Sequence, residues 1–188
     1  MKINLLCLMF LTIFISCQGQ DNSQTATTKK AEQDNNPIAE LSKQKACDAI
    51  PLATIASLMD VDKSTINQED MSFGEKRSIC YYYTKEGNRK FFIRMAWKSE
   101  KAQGNQVLQN QYAKYLSSGE NDIKEYQELK NTGDTQILFG IGQDRENKYI
   151  HILRKRFGNK AEVQLELTKE NKDEMAKDQL IEVLKELN

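Results

Sequence analysis

Cys7, Cys17, Cys47 and Cys80 are the chain's thiols, and His151 is its single histidine. A Ser–His or Cys–His nucleophile system would have to use His151 as its base. A structural zinc site takes four nitrogen or sulfur ligands, and only His151 could join a pair of cysteines. No HExxH, paired-histidine or Walker-type pattern occurs. "FGIGQD" offers Gly140-x-Gly142, but the third glycine of a dinucleotide fingerprint and the helix after it are missing; it reads as a strand ending in a turn. Asp60, Asp62 and Ser64 in "DVDKSTINQEDM" are spaced like calcium-loop ligands. Thr65 stands where such a loop needs glycine and Met71 where it needs glutamate, so a helix-end turn is expected. Carboxylates are plentiful, which keeps a hydrolase using an Asp/Glu pair as an alternative without a motif. No catalytic residue, metal or cofactor is assigned.

The cysteine at 17 has a distinct context. Lys2 precedes an apolar run, Leu5–Ile15, of about eleven residues, where a membrane-spanning helix needs about twenty. A charged start, a short apolar stretch and a small residue at the cut describe a secretory signal, with Ser16 as the small residue. An ordinary signal also needs a small residue third from the cut, and Phe14 is too large. A cysteine directly after Ser16 makes the thiol itself the substrate. Phe14-Ile15-Ser16-Cys17 resembles the lipobox of bacterial lipoproteins: Ser16 and Cys17 match, Ile15 is compatible, and Phe14 stands where Leu is usual. That resemblance implies a signal peptide over 1–16 and a diacylglyceryl thioether on Cys17, with an acyl chain such as palmitate on its amine. Each buried methylene contributes about 0.8 kcal/mol, and two or more chains hold a protein stably to a membrane where one does not. The implied address is the bacterial cell envelope, and Gln18 in place of Asp is compatible with sorting to the outer membrane. A plain secreted protein with a chance cysteine is the alternative.

Residues 17–45 have no aromatic and few large aliphatic side chains, so they cannot bury enough surface to offset the entropy of ordering. A polar linker spanning roughly 30 Å is expected. Residues 46–188 are the length of one ordinary domain. Lys+Arg and Asp+Glu number 27 each, and losing Lys2 with the leader leaves a balance near zero. That gives no electrostatic case for nucleic acid.

With Cys7 removed and Cys17 lipidated, Cys47 and Cys80 remain as an even pair in an oxidising compartment, and a disulfide is expected. "IPLATIASLM" sets Leu52, Ile55 and Met59 on one helical face behind Pro51. "STINQEDMSF" reads as strand or loop. "SICYYYTKEGNRKFFIRMAW" reads as a hairpin turning at Gly87-Asn88, pairing Tyr82 with Ile93 and Cys80 with Met95. One face would carry Cys80, Tyr82, Phe91, Ile93, Met95 and Trp97, directing Cys80 toward Cys47. The other face carries Tyr81, Tyr83, Phe92 and Arg94. Left uncovered, that face is an aromatic binding patch with a cation; covered by a helix, it is a second core layer, which is the favoured reading.

A second helix, capped by Ser99 and ended by Gly119, would align Leu108, Tyr112, Tyr115 and Leu116. Short strands follow at Tyr126–Leu129 and in "TQILFGIG". "KYIHILRKRFGNKAEVQLELT" reads as a hairpin with Gly158-Asn159 as a two-residue turn. It would pair Ile150 with Leu167, Ile152 with Leu165 and Arg154 with Val163 on an apolar face, and His151 with Glu166 and Lys155 with Glu162 on a polar one. A last helix, Lys172–Leu187, aligns Leu180, Leu184 and Leu187, with Asn171 and Glu174 placed as a capping box.

Helix, hairpin, helix, strands, hairpin, helix predicts an α+β domain: an antiparallel sheet of hairpins packed with about three helices, in the form of a helix–sheet–helix sandwich. "ACDAIPLATIASLM", "SICYYY" and "NTGDTQILF", with a late hairpin and a terminal helix, resemble small cell-envelope lipoprotein domains of unknown function. That resemblance implies the same fold and the Cys47–Cys80 bridge, and no catalytic residue. The expected function is non-enzymatic: a membrane-anchored envelope lipoprotein binding a partner protein or small ligand. An envelope hydrolase or a structural accessory subunit are the rivals.

Overall fold

A computed structural model describes residues 42–72, 76–87, 90–97, 104–133, 135–157 and 161–187. The expected leader and lipobox Phe14–Cys17, most of the expected linker, the expected turn residues Asn88, Gly158 and Asn159, and the expected helix cap Ser99 lie outside the described residues. Helix α1 is Leu52–Met59, α2 is Gly104–Ser118 and α3 is Ala176–Glu186. The strands are β1 Ile66–Asp70, β2 Arg77–Thr84, β3 Lys90–Trp97, β4 Glu125–Asn131, β5 Gln136–Gln143, β6 Tyr149–Phe157 and β7 Ala161–Lys169. They form one antiparallel sheet in the order β1-β2-β3-β7-β6-β5-β4. The domain is therefore mixed α+β, and the sheet dominates it.

Alternation along each strand assigns the two faces. Tyr82, Phe91 and Leu167 stand side by side, as do Cys80, Ile93, Leu165, Leu153 and Phe139 in the next row. Helices α1 and α3 cover this first face. Ile55, Leu58 and Met59 of α1 and Ala176, Leu180, Val183 and Leu184 of α3 join the strand residues in one apolar cluster. Cys47 and Cys80 are bridged, tying the short turn before α1 to the middle of β2. Closing a loop of this length is worth about 3–4 kcal/mol in the chain-entropy account. Ala46 N donates to Ser78 Oγ (2.7 Å) and Tyr82 Oη to Cys47 O (3.2 Å), fixing the same junction.

The second face is crossed by α2, which carries the chain from β3 to the far edge strand β4. Its Tyr112 and Tyr115 pack with Ile123, Tyr126, Leu138 and Ile152 in a separate cluster. Leu116, expected on the buried side of this helix, is instead exposed.

Two registers differ from those predicted. The first hairpin pairs Tyr82 with Phe91 and Cys80 with Ile93, two residues from the expected register. Its turn begins at Thr84, closed by Gly87 N donating to Thr84 O (2.9 Å), and Gly87 takes φ +68°. A shift of two preserves the faces. The second hairpin closes at Phe157 opposite Ala161, leaving three residues between the strands instead of two. A shift of one residue exchanges the faces of one strand relative to its partner. Ile150, Ile152, Arg154 and Arg156 therefore share a face with Thr168, Glu166, Gln164 and Glu162, while His151 and Leu153 join Leu167 and Leu165.

Candidate functional site

The exchanged face of β6 and β7 is charged and buried. Arg154 is 2% exposed and Glu162 3%, and Arg156 and Gln164 are buried as well. Burying charge is tolerable only where charges and hydrogen bonds compensate one another, and here they largely do, although Glu162 Oε2 and Arg94 Nε have no hydrogen-bond partner among the described residues. Arg154 Nη1 donates to Gln164 Oε1 (3.0 Å) and Glu162 Oε1 (3.4 Å), its Nε donates to Tyr126 Oη (3.3 Å), and its Nη2 pairs with Glu120. The guanidinium carbon lies 4.5 Å from the centre of the Tyr115 ring, within cation–π range. Arg94 Nη2 pairs with Glu162 from the neighbouring strand, and Arg156 donates to Gly133 O. Burial by itself would favour neutral Arg154, but the Glu162 carboxylate, with Tyr126 and Tyr115, outweighs it and holds the pKa above the ordinary value. Burial pushes Tyr126 up to about 12 and raises Tyr115 and Tyr112.

Three glycines place Glu120 against this layer. Gly119 ends α2 with φ +68°, the left-handed conformation that suits glycine. The chain then turns tightly, with Glu120 bridged to Ile123, and lies directly on β5. A Cβ on Gly140 would come within 2.6 Å of Ile123 Cγ2, and one on Gly142 within 2.8 Å of the Asp122 carbonyl carbon. The Gly140-x-Gly142 pair is thus a seat for a crossing backbone within a strand.

Between α2, this turn and the sheet lies a cleft of about 370 Å³, lined by residues that include Phe92, Arg94, Tyr115, Ile152, Arg154 and Glu166. Phe92 and Glu166 pair across β3 and β7, and Arg94 with Gln164 in the next row. Glu166 is half-buried and accepts a hydrogen bond from Gln164 Nε2 (3.3 Å). Burial raises its pKa; Arg154 and Gln164 oppose the rise, and Glu120 and Asp122 add to it.

Of the predicted patch, Phe92 and Arg94 line the cleft, while Tyr81 and Tyr83 extend the same face onto β2. The Tyr81 and Phe92 rings meet edge to face at 6.3 Å, and Tyr81 and Tyr83 lie 6.1 Å apart. All four side chains are half-buried, between the covered and the open alternatives; the described side chains of α2 pack on Tyr126, Leu138 and Ile152 of β4–β6.

His151 requires a correction. It does not pair with Glu166 on a polar face; it is 0% exposed on the α3 side, opposite Leu167. Its Nε2 accepts from Asp173 N (3.2 Å), so Nδ1 carries the proton directed at Leu167 O (3.3 Å). Burial lowers its pKa, and it supports the turn leading into α3. That turn is organised by Asp173, whose Oδ1 accepts from Met175 N (2.9 Å), and not by the expected Asn171–Glu174 box; α3 starts at Ala176 without a side-chain cap. Asp62, from the calcium-like segment, accepts from Ser64 N and Oγ and caps a short 3₁₀ turn.

Sequence reasoning missed Arg154, Glu162, Gln164, Glu166, Tyr115 and Glu120 as a group. A signal was present: Arg154 and Arg156, and Glu162, Gln164 and Glu166, each repeat at a period of two. That pattern ordinarily marks a solvated face. Among the described residues no helix is long and apolar enough to cross a membrane, and no cluster of three or more His, Cys, Asp or Glu side chains could hold a metal ion. Comparison with protein-family models, curated proteins and solved structures finds no significant match.

Proposed function

We propose that the chain is a lipid-anchored protein of the bacterial cell envelope, attached through Cys17, whose domain binds a partner protein or small ligand on the second face of its sheet without chemical turnover. The anchor reading rests on Ser16-Cys17 ending the apolar leader. The binding reading rests on one observation: a cleft of about 370 Å³ opens beside a half-buried aromatic strip on a face only partly crossed by α2. Cleft volume is within the range of small-ligand sites, and Tyr, Phe and Arg are enriched at interfaces. A helix–sheet–helix description of the domain belongs to the same proposal, supported by α1 and α3 joining one apolar cluster and α2 the other.

Two measurements test it. Intact mass of the mature N-terminal peptide should show diacylglyceryl on Cys17; an unmodified thiol in an exported product removes the anchor. Crosslinking in membranes, compared with Tyr83→Ala, should lose a specific adduct; an unchanged pattern removes the aromatic strip as an interface.

The hydrolase reading keeps one supporting observation. Glu166 is raised by burial, and Glu120 and Asp122 line the same cleft, as a general acid with neighbouring carboxylates would be. Turnover of ester, glycoside or peptide substrates that is abolished by Glu166→Gln would establish it in place of simple binding.

A further inference from the structure

Among the described residues Glu166 is a cleft carboxylate with no ion pair, although Arg154 is near enough to oppose the rise in its pKa. Its single hydrogen bond among the described residues is the one from Gln164 Nε2, at 3.3 Å. The two arginines lining the same cleft are committed elsewhere: Arg94 to Glu162, and Arg154 to Glu162 and Glu120 with its guanidinium against Tyr115. Glu120, Asp122 and Glu166 thus line the cleft with Arg94 and Arg154, and both arginines pair with Glu162. The balance of charge among these lining residues is negative. Apolar side chains flank Glu166 along its row of the sheet, Phe92 on one side and Ile152 on the other, with Ile150 lining the cleft beside them, while Gln164 is its polar neighbour.

A half-buried carboxylate with one weak donor and apolar neighbours is costly to keep charged, and an opposite charge arriving with its own apolar stem relieves that cost. We infer that the cleft binds an organic cation, an alkylammonium or alkylguanidinium group, which pairs with Glu166 while its stem lies against Phe92, Ile150 and Ile152. The Phe92 ring beside Glu166 favours the same charge. An anion would face three carboxylates with both arginines already bonded. A purely apolar ligand would seal Glu166 away unpaired. This inference rests on the reading of the cleft as a binding site and specifies its ligand class.

The test titrates the full chain in detergent with n-butylguanidinium and n-butylammonium, using butyrate and n-butanol as anionic and neutral controls. The readout is the NMR shift of the Ile150 and Ile152 methyl groups. Saturable shifts are expected with the two cations and not with the controls. Glu166→Gln should weaken cation binding about tenfold or more, the range of a lost charged hydrogen bond. Acidification that protonates Glu166 should weaken it in the wild type as well. An acetylated, amidated Gly-Arg-Gly peptide separates the sources of the cation. Tighter binding than n-butylguanidinium supports a partner protein's side chain, and weaker binding supports a free small molecule. Absence of saturable shifts with both cations, equal binding by Glu166→Gln, or equal binding of butyrate overturns the inference. Should Glu166→Gln fail to fold, the wild-type comparison of cations with butyrate and n-butanol decides by itself. If the Tyr83-dependent membrane adduct persists while both cations fail, the ligand class is wrong and the binding reading stands; loss of both removes both.

Discussion

Replacing Arg154 with methionine tests the central electrostatic claim. The side chain is 2% exposed and joins Glu162, Gln164, Tyr126 and Glu120. Methionine keeps an unbranched side chain and removes the charge, along with the guanidinium contact to Tyr115. Glu162 is then left with Arg94 alone, and its Oε2 already has no hydrogen-bond partner among the described residues. Removing one member of a buried ion pair costs about 3–5 kcal/mol, since the other charge stays behind uncompensated. Glu120, with its side chain 29% exposed, can return to water and adds little. The expected loss is therefore about 3–5 kcal/mol, against the roughly 5–15 kcal/mol that holds a typical domain together. Urea unfolding of the disulfide-intact protein measures it. Adding Glu162→Leu to Arg154→Met should restore most of the loss, because exchanging both partners of a buried pair for apolar groups is often neutral or stabilising. Arg94, being half-buried, can then reach solvent. A single-variant loss under about 1 kcal/mol, the value of an exposed pair, would refute the reasoning, as would a double variant no better than the single one.

Two further predictions follow from neighbouring features. Burial holds His151 below its ordinary 6.5, so the unfolded chain binds the extra proton more readily. Stability is then complete above about 6.5 and declines as pH falls toward the depressed folded value. His151→Gln, which can make both ring hydrogen bonds, should flatten that decline in urea midpoints measured over about pH 5 to 8; parallel curves for the two proteins would show that another group is responsible. Gly142→Ala puts a Cβ against the Asp122 backbone and should destabilise by about 1–3 kcal/mol, the range of an overpacked core. Its amide spectrum should change most at residues 119–124, and an unperturbed turn would mean that Gly142 is not its seat.

Local pattern carried a good deal of this fold. Ile55 and Met59 at helical spacing, Leu180 and Leu184 at theirs, and Gly119 after α2 all act through interactions within a few residues, which a single sequence displays directly. The Cys47–Cys80 bridge was foreseen for a comparable reason: alternation directs Cys80 inward whichever even register the hairpin adopts, toward the start of α1 where Cys47 lies. The apolar run ending at Ser16-Cys17, on which the proposed anchor rests, is read in the same way, as a linear signal.

The candidate site was not legible, because each of its parts depends on a distant one. One residue more in the connection after Phe157 decided which face His151 and Arg154 would occupy, and no residue type in β6 or β7 reports that length. Period-two charge at Arg154, Arg156, Glu162 and Gln164 describes a wet strand face until α2 brings Tyr115 across the sheet and the seat at Gly140 and Gly142 brings Glu120 down onto Arg154. Whether a charge can be buried is determined by the partners that meet it in space. The tertiary structure alone therefore decided that this polar face would become the floor of a cleft, and that Glu166 would stand in it with no ion pair among the described residues.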